Sequence, residues 1–94
     1  MAILVDTPIW PFRGRLWCHL VSDTSYEELH VFAAELGIPP RGFDRDHYDV
    51  PESLYAAAIA SGALPVRSRE LLARLTAAGL RRPKHRRGGA RSAG

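Results

Sequence analysis

The fold is decided by residues 16–37, which read LWCHLVSDTSYEELHVFAAELG. The first part, residues 16–21, places largely apolar side chains on both faces of an extended chain, which is typical of a central strand covered on both sides. Capping-box spacings of Ser or Thr with Glu at 24–28 then predict the start of a helix. Apolar residues recur from Leu29 to Leu36 on one helical face, and a glycine follows. The segment therefore predicts a buried strand that leads into an amphipathic helix.

The rest of the chain repeats this alternation of short strands and helices. Before the strand and helix above, we predict a strand at 2–5 and a loop at 7–14. After them, we predict an extended segment at 47–50 and a helix that is capped by Asp49 or Val50 and ends at 62. The chain then continues with an edge strand at 63–66 and a helix that is capped by Ser68 and ends at 79. Alternating elements imply crossover connections and hence parallel strands. We expect a small α/β domain of two or three layers, with a short, mostly parallel sheet and about three helices.

Charge is divided unevenly along the chain. The formal net charge is +3, yet all ten acids lie in residues 1–80, which are mildly acidic. Residues 81–94 hold six bases and no acid, which predicts a disordered basic tail behind one compact domain at 1–80. Such a tail either stays solvated or binds nucleic acid by displacing counterions from phosphates. The residues predicted to make that contact are Arg81, Arg82, Lys84, Arg86 and Arg87.

Composition indicates in which cellular compartment the protein is located and whether it can gain stability as a homodimer. With 46% hydrophobic and 24% charged residues, the chain has the composition of a soluble globular domain. Its single cysteine excludes an internal disulfide and fits a reducing compartment. The N-terminal apolar run stops at the fifth residue, too soon for a signal peptide or a membrane span. We therefore expect a cytoplasmic protein without a membrane partner, for which a homodimer is one way to gain stability.

The densest group of reactive side chains is DRDHYDV at residues 44–50. If the strands are parallel, their carboxyl ends meet at one edge of the sheet, where open α/β folds bind ligands. The side chains brought to that edge would be Asp6, His19, Asp23, His47 and Asp49. Carboxylates and imidazoles are ligands for Mg²⁺, Mn²⁺ or Zn²⁺. The pattern predicts a divalent metal as a possible cofactor.

One specific arrangement of that metal site uses Asp6, Asp46 and Asp49 as ligands and His47 as the catalytic acid or base. His47 is suited to this role because its polar neighbours can tune its pKa toward neutrality. Structural roles are also open, since an Asp before a helix is a preferred cap and Asp6 precedes a turn. Hydrolysis would require Asp6 and His47 to lie on the same side of the sheet.

Other side chains are predicted to contact a ligand. Trp10, Phe12 and Trp17 are mainly predicted as core or lid residues, but exposed loop aromatics stack on bases in proteins that bind single strands, so Trp10 or Phe12 is also a candidate for ligand stacking. His19 in an apolar strand can instead be a core histidine with an internal partner. The full predicted ligand-binding set is Trp10, His19, Asp23, Arg45 and Tyr48.

Several short stretches resemble one family. They are Leu4-Val5-Asp6, Cys18-His19-Leu20, Glu28-Leu29-His30 and His47-Tyr48-Asp49. In these stretches the chain is similar to a short bacterial and phage family known as domain of unknown function 4031. The resemblance spans roughly residues 2–75 and implies a compact α/β domain. It implies no catalytic residue, and the basic tail lies outside the family pattern.

Two functions remain open on the sequence alone, and whether the protein is an enzyme is one of the questions between them. The first is a small binding or accessory module that holds a ligand or partner at its polar His/Asp edge, with the tail contacting nucleic acid. The second is a metal-dependent hydrolase of phosphoesters or nucleic acid. The binding module needs only the fold and its charges, whereas the hydrolase needs the histidines and carboxylates to converge on one ion.

Overall fold

The computed structural model describes residues 2–83. Within that range the strands are β1 (Ile3–Val5), β2 (Trp10–Phe12), β3 (Arg15–Ser22), β4 (Phe43–Asp44), β5 (His47–Pro51) and β6 (Leu64–Pro65). The α-helices are α1 (Tyr26–Glu35), α2 (Tyr55–Ala60) and α3 (Ser68–Ala77), with 3-10 turns at Pro40–Gly42 and Glu52–Leu54. None of these helices is long and apolar enough to cross a membrane.

The strands form one mixed sheet covered by helices on both faces. Its order is β4-β5-β3-β1-β6, and β2 pairs with the outer part of β3. The pairing of β1 with β6 is parallel and every other pairing is antiparallel. The α/β class and the three helices are confirmed, but the expectation of a mostly parallel sheet is wrong.

A short strand accounts for this error. β3 and β4 are joined through α1 and run in the same direction, as the strand–helix alternation predicts. The chain then reverses at Arg45 and Asp46, and β5 returns between β4 and β3. Because β4 has only two residues, its sequence carries no recognisable strand pattern. The strand that holds the reactive stretch therefore runs opposite to the predicted direction.

β2 and β3 form a hairpin where the sequence predicted a loop. Trp10 pairs with Trp17 across it. Arg13 and Gly14 form the turn with φ angles of 53° and 76°, which is the left-handed conformation that a two-residue hairpin turn requires at both central positions. The sequence did not predict this strand because Pro11 is typical of a loop. β2 accommodates Pro11 because proline is compatible with edge strands.

Each face of the sheet has an apolar core. The residues that pack beneath α1 and α2 include Val5, Leu20, Leu29, Tyr48 and Val50. On the other face Leu4 and Val21 pack against Leu71 and Leu75 of α3. The domain thus has three layers, in which α1 and α2 cover one face of the sheet and α3 covers the face of Leu4 and Val21.

The helix starts follow the predictions only in part. Ser25 caps α1, and its hydroxyl accepts a hydrogen bond from the backbone of the first turn. Asp49 and Val50 lie inside β5 and cap nothing. Ser68 is the first residue of α3 rather than its cap, and its hydroxyl donates to Asp6. That bond links α3 to the polar side chains of the sheet.

Candidate metal centre

Polar side chains gather on the sheet face that packs against α3. Because side chains alternate along a strand, Asp6 and His19 point to this face. Asp49 is the registered partner of His19 on the neighbouring β5, and His47 lies two residues before it on the same side. The antiparallel register therefore assembles these side chains in the middle of the sheet, and Asp6 and His47 share one face as the hydrolase hypothesis requires.

Asp6 is fully buried and holds the ring of His19. Its Oδ2 lies 2.8 Å from His19 Nδ1 and accepts the Ser68 hydroxyl at 2.7 Å, while Oδ1 accepts the His19 backbone N–H at 2.7 Å. Burial raises the pKa of Asp6, but the hydrogen bonds from His19 and Ser68 outweigh burial, so its pKa is lowered. An ionised carboxylate only accepts, so Nδ1 carries the ring proton and Nε2 is left for another partner.

Asp46 holds His47 in the same way. It is 1% exposed, and its Oδ1 lies 2.8 Å from His47 Nδ1. Its Oδ2 accepts the Arg82 backbone N–H at 2.7 Å and the Arg81 guanidinium at 3.2 Å. Burial raises the pKa of Asp46, and the hydrogen bonds from His47 and Arg82 lower it further than burial raises it. Asp46 is thus a second ionised carboxylate beneath a histidine.

The two histidines converge with Asp49. One nitrogen of each ring and one oxygen of Asp49 all lie within 4.8 Å of one another, and the ring centroids are 5.0 Å apart. His47 Nε2 is 3.2 Å from Asp49 Oδ1. Burial lowers the pKa of His47, but the hydrogen bonds with Asp49 and Asp46 raise it overall. The hydrogen bond with His47 lowers the pKa of Asp49. We call His19, His47 and Asp49 the His–Asp cluster.

Two pockets open onto the His–Asp cluster. One, of about 290 Å³, lies between the sheet and α3, and Arg45 and Arg81 line it together with His19 and His47. The other, of about 210 Å³, lies beside the hairpin. Its walls are Trp10, Phe12, Trp17, His19 and Asp49. A ligand can therefore reach the cluster from a polar side, between the sheet and α3, and from an aromatic side.

The comparisons with known proteins place this site in a family. A family described as "Protein of unknown function (DUF4031)" matches residues 3–78. The chain belongs to this family. The match confirms the resemblance predicted from the sequence, and it runs from the start of β1 to the end of α3, so it includes the whole His–Asp cluster. No curated protein and no solved structure matches the chain.

Within the region matched by DUF4031, the structure brings most of the predicted site residues to one face. The residues that lie at the His–Asp cluster or line its two pockets are Asp6, Trp10, His19, Arg45, Asp46, His47 and Asp49. Asp6 and Asp46 contact the histidine Nδ1 atoms, on the far side of each ring from Nε2. They are therefore placed to orient the rings, whereas the sequence predicted them as direct ligands.

Asp23 and Tyr48 are not at the cluster. Because β1 and β3 are antiparallel, Asp23 lies beside the start of β1, where it accepts the Ala2 backbone N–H and pairs with Arg74 of α3. Tyr48 is 3% exposed on the opposite face, and its hydroxyl is 2.7 Å from His30 Nδ1. The assumption of parallel strands misplaced Asp23, and strand alternation turns Tyr48 away from its neighbours His47 and Asp49.

The first residues of the predicted tail contact the domain that DUF4031 defines. Arg81 and Arg82 bind the buried Asp46. Residues 84–94 lie outside the described chain, so the predicted disorder of the tail and the nucleic-acid contacts of Lys84, Arg86 and Arg87 stay predictions. Arg81 and Arg82 therefore have a structural partner in Asp46, in addition to the nucleic-acid contact predicted for them.

Sequence reasoning missed two contributors to the site. Ser68 was taken as a helix cap, and no sequence signal shows that its hydroxyl reaches Asp6 from 62 positions away. Trp17 was predicted as a core or lid residue and not as part of a ligand site, although it lies opposite Trp10 in the aromatic pocket. The signal for Trp17 was available, because Arg15, Trp17 and His19 alternate on one face of β3.

Proposed function

We propose that this protein binds a divalent transition-metal ion through His19, His47 and Asp49 and uses it to hydrolyse phosphate esters. The observation that carries the proposal is the pair of buried carboxylates behind the two histidines. Metal-binding histidines usually donate their second ring N–H to a carboxylate or carbonyl, which fixes the tautomer and the ring orientation. His19 and His47 make this contact through Nδ1, and the carboxylates of Asp6 and Asp46 accept it at 2.8 Å in each case.

The separation of two of the three side chains fits an ion of the zinc type, and the candidate ligand atoms of all three lie within 4.8 Å of one another. Two ligands about 2.1 Å from a tetrahedral ion lie roughly 3.4 Å apart, and His47 Nε2 and Asp49 Oδ1 are 3.2 Å apart. Two imidazoles and a carboxylate are also the ligand set of known catalytic zinc sites, which keep a further position open for water or substrate. The two pockets beside the cluster leave that position accessible.

This assignment changes the ligand set of the sequence-based hydrolase hypothesis. There Asp6, Asp46 and Asp49 held the ion and His47 moved the proton. The contacts support a different division, in which His19 and His47 join Asp49 as ligands and the two buried carboxylates are positioning residues. An ion bound at His47 Nε2 would take the place of the hydrogen bond between Nε2 and Asp49, while Asp46 keeps its bond to Nδ1 and holds the ring.

A phosphate ester suits the surroundings of the ion. A bound divalent ion lowers the pKa of a coordinated water and polarises a phosphoryl oxygen. Arg45 and Arg81 line the same pocket with side chains 35% and 34% exposed, so their guanidinium groups can hold phosphate oxygens by paired hydrogen bonds. The chain thereby supplies ion ligands and anion donors in one pocket.

A module that binds a phosphate ester without cleaving it is the second candidate. It uses the same ion and arginines, and the aromatic pocket next to the cluster favours it because ring stacking holds a ligand without reacting with it. Nucleic-acid contact by residues 84–94 is compatible with either candidate and stays a separate prediction.

Calorimetric titration with Zn²⁺ and Mn²⁺ tests the ion site. We expect the parent to bind an ion, and His19→Ala, His47→Ala and Asp49→Ala each to abolish that binding. His30→Ala is the matched control, because His30 is bonded to Tyr48 on the opposite face. Melting curves give a second readout, since an ion at 100 times its dissociation constant adds about 2.7 kcal/mol of stability. Binding that is the same in the parent and in all cluster variants would contradict the site.

Hydrolysis is tested on the metal-loaded protein with bis(p-nitrophenyl) phosphate. We expect turnover that a chelator removes and added metal restores, and that His30→Ala retains. An ion bound at the His–Asp cluster without any turnover of phosphodiesters or phosphomonoesters would refute the hydrolytic part and leave the metal-dependent binding module.

A further inference from the structure

The hairpin of β2 and β3 presents aromatic rings next to the His–Asp cluster. Trp10 is 45% exposed and Phe12 is 60% exposed, and strand alternation puts both on the face of His19. The Trp10 ring lies 5.5 Å from the His19 ring, and the Phe12 ring lies 6.5 Å from that of Trp17. These rings line one pocket that ends at the His–Asp cluster.

The fold itself gives these rings no covering element within residues 2–83. α3 packs over Leu4 and Val21, at the inner part of the sheet, and leaves the outer half of β3 open. Large exposed aromatic groups side by side are unusual on a small soluble domain and mark a binding surface. Their position beside a reactive cluster favours a ligand that is bound there during the reaction.

The charges on the hairpin indicate the chemistry of that ligand. The guanidinium of Arg13 lies 5.2 Å from the centre of the Phe12 ring, and that of Arg15 lies 5.9 Å from the Trp17 ring. Residues 7–22 contain no acid at all. Aromatic faces bordered by arginine are suited to a ligand that carries flat rings and negative charges in alternation, which describes single-stranded nucleic acid.

We propose that the hairpin is a stacking platform for single-stranded nucleic acid, with bases on Trp10 and Phe12 and a backbone phosphate at the His–Asp cluster. Binding of the phosphate at the His–Asp cluster rests on the proposed metal-dependent function, whereas stacking of bases on Trp10 and Phe12 does not need an ion. Trp10 and Phe12 are two residues apart on a strand, so their rings repeat about every 6.6 Å along it. A paired duplex hides its base faces and cannot stack in this way.

A second copy of this chain is a weaker occupant. Two hairpins packed face to face about a two-fold axis would bring Arg13 and Arg15 close to their own counterparts, and like charges in an interface are unfavourable. The same arginines attract phosphates. Charge complementarity therefore selects a polyanion over self-association.

The test is fluorescence anisotropy with a labelled oligothymidylate and the full-length chain in chelator. Loss of one stacked base costs about 1–3 kcal/mol, so Trp10→Ala and Phe12→Ala should each weaken binding roughly tenfold, and Trp10→Phe should restore most of it. Val31→Ala is the control, since Val31 is 59% exposed on α1 across the sheet. Because the assay contains no ion, it measures stacking on the rings separately from the proposed metal site.

Salt dependence separates the platform from the basic tail. Arg13→Gln and Arg15→Gln should each reduce the slope of log affinity against log salt by about one, whereas Trp10→Ala should lower affinity with the slope unchanged. Binding that depends only on salt and is equal in the parent and both ring variants would overturn the platform in favour of the tail. Sedimentation of a dimer that Trp10→Ala converts to a monomer, with no oligonucleotide bound, would overturn it in favour of self-association.

Discussion

Replacement of Asp6 by Asn tests most directly whether a buried carboxylate positions a metal ligand. Asn has nearly the same shape, but one of its two terminal atoms is an NH₂ donor. If that donor replaces Oδ2, it faces His19 Nδ1 and the Ser68 hydroxyl; if it replaces Oδ1, it faces the His19 backbone N–H. Either orientation leaves at least one donor opposite another, so the His19 ring loses its fixed tautomer or its support.

The expected magnitude follows from these contacts. Loss of an outer-shell partner costs about 10–100-fold in metal affinity, which is about 1.4–2.7 kcal/mol. The folded state should also lose about 1.5–3 kcal/mol for each hydrogen bond to the ionised carboxylate that is not replaced. Ser68→Ala removes only one of the three donors to Asp6 and keeps the contact between Asp6 and His19, so it should lower the affinity for the ion by a much smaller factor.

Zn²⁺ affinity is measured by competition with a chromophoric chelator, on variants whose circular dichroism shows a native fold. Asp44→Asn is the matched control, because Asp44 lies opposite His47 in the β4–β5 register but its carboxylate pairs with Arg45 instead of a histidine ring. Asp46→Asn repeats the experiment at His47 in case Asp6→Asn does not fold. Native folds with parental affinity in both Asp6→Asn and Asp46→Asn would refute the positioning role and, with it, the reasoning that assigns the ion to the two histidines.

Three further predictions concern the fold. The pKa of Asp23 is lowered: burial raises it, but the hydrogen bonds from the Ala2 backbone and Arg74 lower it further. Asp23 should therefore stabilise the parent over Asp23→Asn above the unfolded pKa of about 3.9, and the difference measured by urea unfolding should vanish as pH falls through the folded pKa. Burial raises the pKa of Cys18 to about 12, so a thiol reagent at pH 8 should label it only after denaturant is added, and rapid native labelling would contradict its burial. Leu75 is 2% exposed and Leu72 is 42% exposed, so Leu75→Ala should cost about 2–5 kcal/mol and Leu72→Ala within about 0.5 kcal/mol; equal losses would contradict the packing of α3.

Sequence periodicity was sufficient to place α1 and the central strand β3, and it indicated the other two helices without their correct starts. The stripe from Leu29 to Leu36 and the cap at Ser25 are local signals, because helix formation depends on residues three and four positions apart. Strand direction is not local. It depended here on the two-residue β4 and on the turn at Arg45, whose φ of 61° nothing in its residue type requires. Alternation of helices and strands predicts a parallel crossover after α1, but that crossover ends at β4, which the sequence did not predict, and the segment at 47–50 runs antiparallel to β3.

The composition of the site could be predicted from the sequence better than its internal organisation. The stretch at residues 44–50 and the histidine in β3 supplied the reactive groups before any fold was known. Which carboxylate faces Nδ1 and which faces Nε2 depends on burial and register, and these come from the packing of α3 and the pairing of His19 with Asp49. Long-range partners such as Ser68 and Arg81 were beyond any pattern in the sequence.

Charge balance links the ion to its substrate. Histidines must be neutral to coordinate a metal, so the charged groups that line the two pockets are three carboxylates (Asp6, Asp46, Asp49) and two guanidinium groups (Arg45, Arg81). These pockets carry one excess negative charge, and a divalent ion changes it to one excess positive charge. A phosphodiester has a single negative charge and neutralises the excess that the ion creates. The residues that bind the cation therefore favour a phosphate at the His–Asp cluster once the ion is bound, whereas stacking on Trp10 and Phe12 does not depend on the ion.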